Sequence, residues 1–442
     1  MRRPMRQVLI DKLTESLARQ PPTLTRREIE LPGVPGKALV VIGMRRSGKT
    51  SFLWQCLGDR LAADAPRESL VFLNFEDERL VGLGAADVGW LISQHGRLYP
   101  ELAETRCTWF LDEIQLVTGW ESLTRRLLDE GRVELFLSGS SAKLLSSEVA
   151  TSMRGRALEV LMQPFGFREW LRHSGHEPSR SWARLPRSER ASLDQRLGRY
   201  LVEGGFPETV GVSQRDRHAL LKSYVDVVVL RDVIERHAVS NPVALRWIQR
   251  HLLANPAGAF SAQKHFDALK SQGVPVAKDT VHAYLAHLED AFLVHTVSLH
   301  TASERQRMVN PRKAYPVDPG LIPLFERAGR PQTGHALETV VLHELRRRGA
   351  EVAYLKTKEG WEVDFMARIP GAAPLLVQVC ATLGDQATFE RELRSLRTAL
   401  AEHAGAHAQL VTLDATPPTQ ELPDDVSWWP AVRWLLEPWG QG

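Results

Sequence analysis

The nine residues GMRRSGKTS, Gly43 to Ser51, have the types and spacing that bind phosphate. Gly43 and Gly48 bracket a loop of the form G-x-x-x-x-G-K-(S/T), whose glycines let backbone N–H groups turn inward around phosphate oxygens. Lys49 is spaced to reach the β- and γ-phosphates and the Thr50 hydroxyl to ligate Mg2+. Arg46, Ser47 and Ser51 complete the candidate contacts. A second stretch, CTWFLDEIQ, ends an apolar run in Asp112 and Glu113. Asp112 would hold Mg2+ through its water shell, and Glu113 would orient and polarise an attacking water. The pair predicts hydrolysis of a nucleoside triphosphate rather than binding alone. A third stretch, VELFLSGSSAKLL, brings Ser138, Ser140 and Ser141 toward the same phosphates, with Ser140 the candidate contact. Serine before AKLL is also good helix-capping chemistry, and the two roles are compatible.

These groups need elements to position them. Ala38 to Ile42, all apolar, read as a buried parallel strand, and Ser51 to Leu61 as a helix, so strand, loop and helix follow in the order the motif requires. LVFLNFEDERL reads as another strand of the same sheet, with no chemistry assigned to its acids. The chain has 442 residues, enough for two to four domains, with 43% hydrophobic and 25% charged residues, a normal globular balance. No apolar run is long enough to span a membrane, and the start, MRRPMRQVLIDKL, has no signal-peptide core. Three scattered cysteines, Cys56, Cys107 and Cys380, lack metal spacing, which argues for a reducing cytoplasm with no disulfides and no zinc site. A net charge of +3 does not by itself imply nucleic acid.

At this point the chain resembles AAA+ ATPases, and in particular prokaryotic ATPases that join an AAA domain of the AAA_14 type to a DUF4143-type C-terminal region. The likeness is carried by GMRRSGKTS, FLNFEDERL, FLDEIQ, FLSGSSAKLLSSE, RGRALEVLMQPFGFREW, YLVEGGFPETV, YPVDPGL and EVDF, over about residues 38–380. It implies ATP with Mg2+ as the bound pair and a site shared between subunits of a ring, expected to be a hexamer. Arg154 and Arg156 are then candidates for an arginine finger, which neutralises transition-state charge on the neighbour's γ-phosphate. A solvated pair of surface arginines is the plain alternative. GGFPE is similar to an element of related lid domains, in which Gly205 and Pro207 would pack by the base; an ordinary Gly-Pro turn is as good a reading.

The expected architecture is α/β: a P-loop AAA+ core with a parallel sheet over 1–165, a helical lid over 166–240, a winged-helix-like domain over 241–325, and a nuclease-like α/β domain with a Trp-rich tail over 326–442. LRWIQRHLLANP, SAQKHFDALKSQG and AKDTVHAYLAHLEDAFLV read as three helices followed by a strand, with Lys278, His282 and His287 toward a groove. A three-helix protein-binding domain is the alternative. No pair of histidines there has metal spacing with carboxylate support. The last domain resembles a PD-(D/E)xK nuclease, with Glu338 on its first helix, EVAYLKT and WEVDFMARI as a hairpin carrying Asp364, and LLVQVC as the third strand. That strand should carry an acid and a lysine and carries Gln378 and Cys380. A neutral amide binds Mg2+ poorly, and a thiol supplies no cation at neutral pH. Lys356 or Lys358 is the available substitute. Arg346 to Arg348 are candidates for phosphate contact or for capping a helix C-terminus. WWPAVRWLLEPW reads as a short docked helix. The expected function is a cytoplasmic ATP-hydrolysing AAA+ motor, ring-forming, that remodels or translocates DNA, branched DNA included, with no membrane partner and no nuclease activity. The alternatives are a nucleotide-dependent switch acting on protein partners and an ATP-driven defence nuclease.

Overall fold

Strand β1 (Ala38–Ile42) is buried along its whole length, as an apolar run must be when both faces of a parallel sheet are covered. It lies between β4 (Val133–Gly139) and β5 (Ala157–Leu161) in a five-stranded sheet of order β2-β3-β4-β1-β5, every pair parallel, with β2 spanning Leu70–Asn74 and β3 Cys107–Asp112. The computed structural model describes residues 2–139, 153, 155–326 and 332–437. The sheet belongs to the first of two units, residues 1–163; the second spans 164–442. Helix α1 (Arg2–Ala18) sets Leu9 and Leu13 into the core, and its Ser16 hydroxyl accepts the Phe72 N–H of β2 at 2.8 Å. Helix α2 (Lys49–Ala62) buries Phe52, Leu53, Trp54 and Leu57 in a cluster with Leu39, Val41, Phe110 and Phe136. Helices α3 (Ala85–Leu98) and α4 (Trp120–Glu130) complete the crossovers. The right-handed logic of such sheets gathers loops at the strands' carboxyl ends, where Gly43, Asp112 and Ser138 stand.

The second unit opens with α5 (Phe167–His173), α6 (Arg187–Glu203) and α7 (Gln214–Val227), the last running on as a π-helix over Val228–Glu235. Then come α8 (Pro242–Ala254), β6 (Gly258–Phe260), α9 (Ala262–Ser271), α10 (Lys278–Asp290), β7 (Val294–Val297) and β8 (Arg312–Pro316). The three strands form an antiparallel sheet of order β6-β8-β7. Helix α11 (Thr333–Arg347) precedes a second sheet of β9 (Glu351–Lys356), β10 (Glu362–Arg368), β11 (Leu375–Cys380), β12 (His407–Thr412) and β13 (Val426–Pro430), with α12 (Gln386–Glu402) between β11 and β12. Strands β9 to β11 pair antiparallel and β11 to β13 parallel.

Two motifs of the sequence meet inside this unit. Asp318 of YPVDPGL is buried and accepts the N–H groups of Gly205 at 2.7 Å and Gly320 at 2.8 Å. A Cβ on Gly205 would stand 2.2 Å from the Phe165 carbonyl oxygen, and Gly204 has φ +78 against the same Asp318 carboxylate. The GGFP turn is glycine-rich because a backbone and a carboxylate press on it. The tail departs from expectation. VSWWP is strand β13, and only Ala431–Leu436 is helical (α13). Val426 and Trp428 pack on one core while Trp429 packs on another, the alternation of a strand, and Pro430 ends the ladder as N-cap of α13.

Candidate functional site

The loop after β1 carries left-handed backbone at Gly43 (φ +146), Arg46 (φ +67) and Gly48 (φ +102). Such alternation points successive N–H groups into one concavity, an anion nest. Gly43 cannot be replaced, because a Cβ would meet the Met162 carbonyl oxygen at 2.2 Å. Lys49 starts α2 and is buried, its ammonium donating to the carbonyls of Gly43 and Met44 at 3.1 Å each. Ser47 is fully buried, and its hydroxyl makes no hydrogen bond with the described residues. Arg46, Thr50 and Ser51 are exposed beside it. The loop is braced from behind by Arg27, whose buried guanidinium donates to the carbonyls of Ser47 (2.9 Å) and Gln163 (2.6 Å), while Gln55 Oε1 accepts the Arg27 N–H at 2.7 Å.

The acids stand at the end of β3. Asp112 has no exposed surface and accepts hydrogen bonds from Thr50 Oγ1 at 2.8 Å, from Asn74 Nδ2 at 2.6 Å and from the Ser138 hydroxyl. Burial pushes its carboxyl up against the opposing pull of the Ser138 and Thr50 hydroxyls. Glu113 leaves the strand in left-handed backbone, φ 56 and ψ 46, a costly conformation for a non-glycine that recurs at active sites. Its N–H donates to Ser138 Oγ at 3.3 Å and its carboxylate accepts from the Gln115 amide. Glu76 is also pushed up, by burial and then by the neighbouring Glu113, with Arg45 pulling it down. Buried, closely set oxygens with an upward pressure on their acids are a site that wants a hard cation. Thr50 and Asp112 fit Mg2+, the orphan Ser47 hydroxyl and the nest fit phosphate, and the residues present therefore fit ATP with Mg2+.

Among the described residues the serine that touches the acids is Ser138; Ser140 and Ser141 lie outside them, as does Arg154. Arg156 follows β4 and precedes β5, partly exposed, paired with Asp129 at 2.6 Å. Pro207 opens a short 3-10 helix in the second unit beside the Gly205 turn. Asn74, Gln115 and Arg27 were not singled out from the sequence. Asn74 had a signal: it ends the strand next to β3, level with Asp112. Arg27 had none.

In the second unit, Glu338, Asp364, Gln378 and a lysine do come together, but the lysine is neither Lys356 nor Lys358. It is Lys313 of β8, buried, with its ammonium 2.8 Å from Glu362, 3.3 Å from Asp364 and 3.4 Å from Glu338. Lys356 and Lys358 are exposed. The Tyr315 hydroxyl donates to Glu338 at 2.7 Å. A bulge in β10 between Val363 and Met366 aims Asp364 inward: its N–H donates to Gln378 Oε1 at 3.3 Å, and its carboxylate accepts the Val379 N–H at 3.0 Å. Gln378 donates in turn to Glu392 at 2.7 Å, and burial keeps Cys380 a neutral thiol. Arg346, Arg347 and Arg348 are committed to the carbonyls of Thr296 (2.9 Å), Pro164 (2.7 Å) and Trp434 (2.8 Å), so they brace the fold rather than offer a phosphate patch. Lys278 and His282 line a cavity of about 300 Å³ with Ser261, Gln263 and Arg312, whereas His287 turns away to stack on His237.

A parallel five-stranded sheet, a phosphate nest and paired acids at its carboxyl edge define a P-loop ATPase of the AAA type. The family model of the AAA_14 AAA domain matches residues 35–171, and that of DUF8612, a domain of unknown function, matches 194–330, where the resemblance had implied DUF4143. An uncharacterized protein of Methanocaldococcus jannaschii is 31% identical over 399 residues, 89% of this chain and 85% of that one. An uncharacterized protein of Haemophilus influenzae is 30% identical over 334 residues, 74% of this chain and 79% of that one. Among solved structures, a Walker-type ATPase of Pyrococcus abyssi aligns over 72% of this chain and 95% of its own, at 16% identity and a TM-score of 0.43. The chain belongs to the same family as these two curated relatives, with an AAA_14 domain at its head. No helix among the described residues is long and apolar enough to cross a membrane.

Proposed function

We propose that the chain is a cytoplasmic AAA+ motor that binds ATP with Mg2+, hydrolyses it within a ring, expected to be a hexamer, and uses the turnover to remodel or translocate DNA. The reading is carried by one observation, the Asp112 carboxylate held by Thr50, Asn74 and Ser138 with Glu113 beside it at the mouth of the nest. The loop N–H groups and the N-terminus of α2 take the phosphates, and Lys49 turns from the Gly43 and Met44 carbonyls to the β- and γ-oxygens. Thr50 and Asp112 would hold Mg2+, which would neutralise charge on the phosphates. Glu113, oriented by Gln115 and by its backbone bond to Ser138, takes a proton from the attacking water. Arg156, with Arg154 as the second candidate, reaches a neighbouring subunit's γ-phosphate on giving up Asp129.

DNA as the substrate rests on the second unit. Helix, strand, two helices and two strands from α8 to β8, with a short helix (Glu304–Val309) between the last two strands, resemble the order of a winged helix, and the cavity beside α9 and α10 carries Lys278, His282 and Arg312. The order from α11 to β12, with Glu338 and Asp364, supports a nuclease-like fold. Its chemistry is lost, because Gln378 and Cys380 stand at the acid and lysine positions and Lys313 fills the space among the acids. The test is the ATP hydrolysis rate alone and with single-stranded, duplex and four-way-junction DNA. Strong stimulation by one form identifies the substrate. A rate indifferent to all of them moves the function to a switch acting on protein partners, and metal-dependent cleavage lost in Asp364→Ala would establish the nuclease instead.

A further inference from the structure

The π-helix Val228–Glu235 ends in a turn that carries His237 and puts Ala238 in left-handed backbone, φ 47. That turn brings His237 against α10. Its imidazole stacks on His287, ring centres 3.7 Å apart and planes 17° from parallel. Asp290 lies one turn further along α10; residues three apart share a helix face, so it stands beside His287. One ring nitrogen from each histidine and one Asp290 carboxylate oxygen all lie within 4.8 Å of one another, a grouping no other His, Cys, Asp or Glu residues make among the described residues. The His237 Nε2 atom is buried and makes no hydrogen bond with the described residues. An unmade bond at a buried nitrogen is costly, and a bound cation would satisfy it.

We propose that His237, His287 and Asp290 bind a divalent transition-metal ion, with zinc the best fit. Two imidazoles and one carboxylate make three protein ligands, leaving a fourth position for water, a common zinc arrangement. Tetrahedral zinc with bonds of about 2.0–2.1 Å sets its donors roughly 3.3 Å apart, and because the two rings now stack nearly parallel, one imidazole has to turn out of the stack to bring its in-plane nitrogen onto an ion shared with the other. Sequence spacing hid the set, because His237 and His287 lie fifty positions apart and meet only in the fold. The consequence is mechanical. The ion ties the end of the π-helix to the C-terminal turn of α10, whose first residue, Lys278, lines the cavity beside α9. The site is independent of how the ATP is used.

The test uses the full chain, stripped with chelator and kept free of nucleotide and Mg2+. Zinc is titrated by calorimetry, and cobalt by visible absorption, whose intense bands report tetrahedral coordination. One ion per chain is expected. Binding should weaken at least tenfold in His237→Ala and in His287→Ala, with His282→Ala, outside the set, binding as the parent does. Asp290→Asn keeps the shape of its side chain and should also bind at least tenfold more weakly, which covers the case of a histidine variant that fails to fold. Parent protein that takes up no zinc overturns the proposal, and so does uptake that is equal in the parent, His287→Ala and Asp290→Asn.

Discussion

Replacing Lys313 by methionine tests how the cation among the second unit's acids acts. The change removes the ammonium and keeps a chain of similar length. Glu338 and Asp364 are then left in the core, with side chains 9% and 13% exposed, while Glu362, at 45%, turns to water. Breaking a buried ion pair from one side costs about 3–5 kcal/mol, since the orphaned charge keeps its desolvation penalty. For a unit of this size each kcal/mol moves the melting temperature by about 2–4 °C, so the second unit's transition should fall by roughly 6–20 °C. The sign of the pH dependence follows from the same groups. Burial raises the Glu338 and Asp364 carboxyls against the pull of Lys313. A carboxyl raised in the folded state binds protons the unfolded chain has released, so its contribution to stability falls as pH climbs from the unfolded value through the folded one. Without Lys313 both rise further, so the loss should be small near about pH 5 and full near about pH 8. Combining Lys313→Met with Glu338→Gln and Asp364→Asn should recover most of it, because the amide carbonyl that replaces the Glu338 carboxylate would still accept from Tyr315 and no charge remains. Calorimetric scans at the two pH values decide the matter. A loss under about 1 kcal/mol, equal at both pH values, would mean the cluster is solvated like a surface pair and the reasoning is wrong.

Further outcomes are expected of four variants. Lys49→Ala should abolish nucleotide binding, while Glu113→Gln should bind ATP and turn it over about 10²–10⁴-fold more slowly; normal single-turnover hydrolysis by the latter reassigns the base. Arg156→Ala should stop turnover and leave ATP affinity intact, and lost affinity in a direct binding assay would undo its assignment as a finger. Asp318, raised to about 6 by burial, contributes less stability as pH rises from the unfolded value of about 4 through 6, so Asp318→Asn should remove that slope from urea titrations. The same variant should cost about 1–3 kcal/mol at neutral pH, because one of the Gly205 and Gly320 N–H groups loses its acceptor. An unchanged slope would mean Asp318 does not titrate in that range.

How much was legible follows from how local each signal is. Gly43, Gly48, Lys49 and Thr50 fall within eight residues, so spacing alone placed them, and an apolar run ending in two acids located Asp112. The hydroxyl of Ser138 that meets Asp112 was harder, since the contact crosses from one strand to its neighbour and depends on how β4 lies against β3. Asn74 needed the register of β2 against β3. Lys313 was out of reach, because it comes from β8, in a different sheet from the β11 strand on which a lysine was sought. The tail was misread for a physical reason as well: VSWWP has both the aromatic density of a docked helix and the alternation of a strand, and neighbouring β12 chose between them.

The two buried lysines show why one acid cluster is read as an ATP site and the other as a sealed one. Lys49 and Lys313 are both nearly excluded from water, at 5% and 6% exposure, and each has carboxylates near it. The difference is in what surrounds them. Lys49 sits under a loop whose Arg46, Thr50 and Ser51 are exposed and whose Ser47 hydroxyl has no partner among the described residues, so an arriving phosphate gains hydrogen bonds and covers open surface. Lys313 already has Glu338, Glu362 and Asp364, and Tyr315, Gln378 and Val379 satisfy the remaining oxygens and N–H groups. A phosphate there would find its cation neutralised, and a metal ion would have to displace an ammonium held by three charges. Polar groups left without partners give an arriving ligand bonds to make, whereas charges already paired among themselves offer it little in exchange for the pairs it would break.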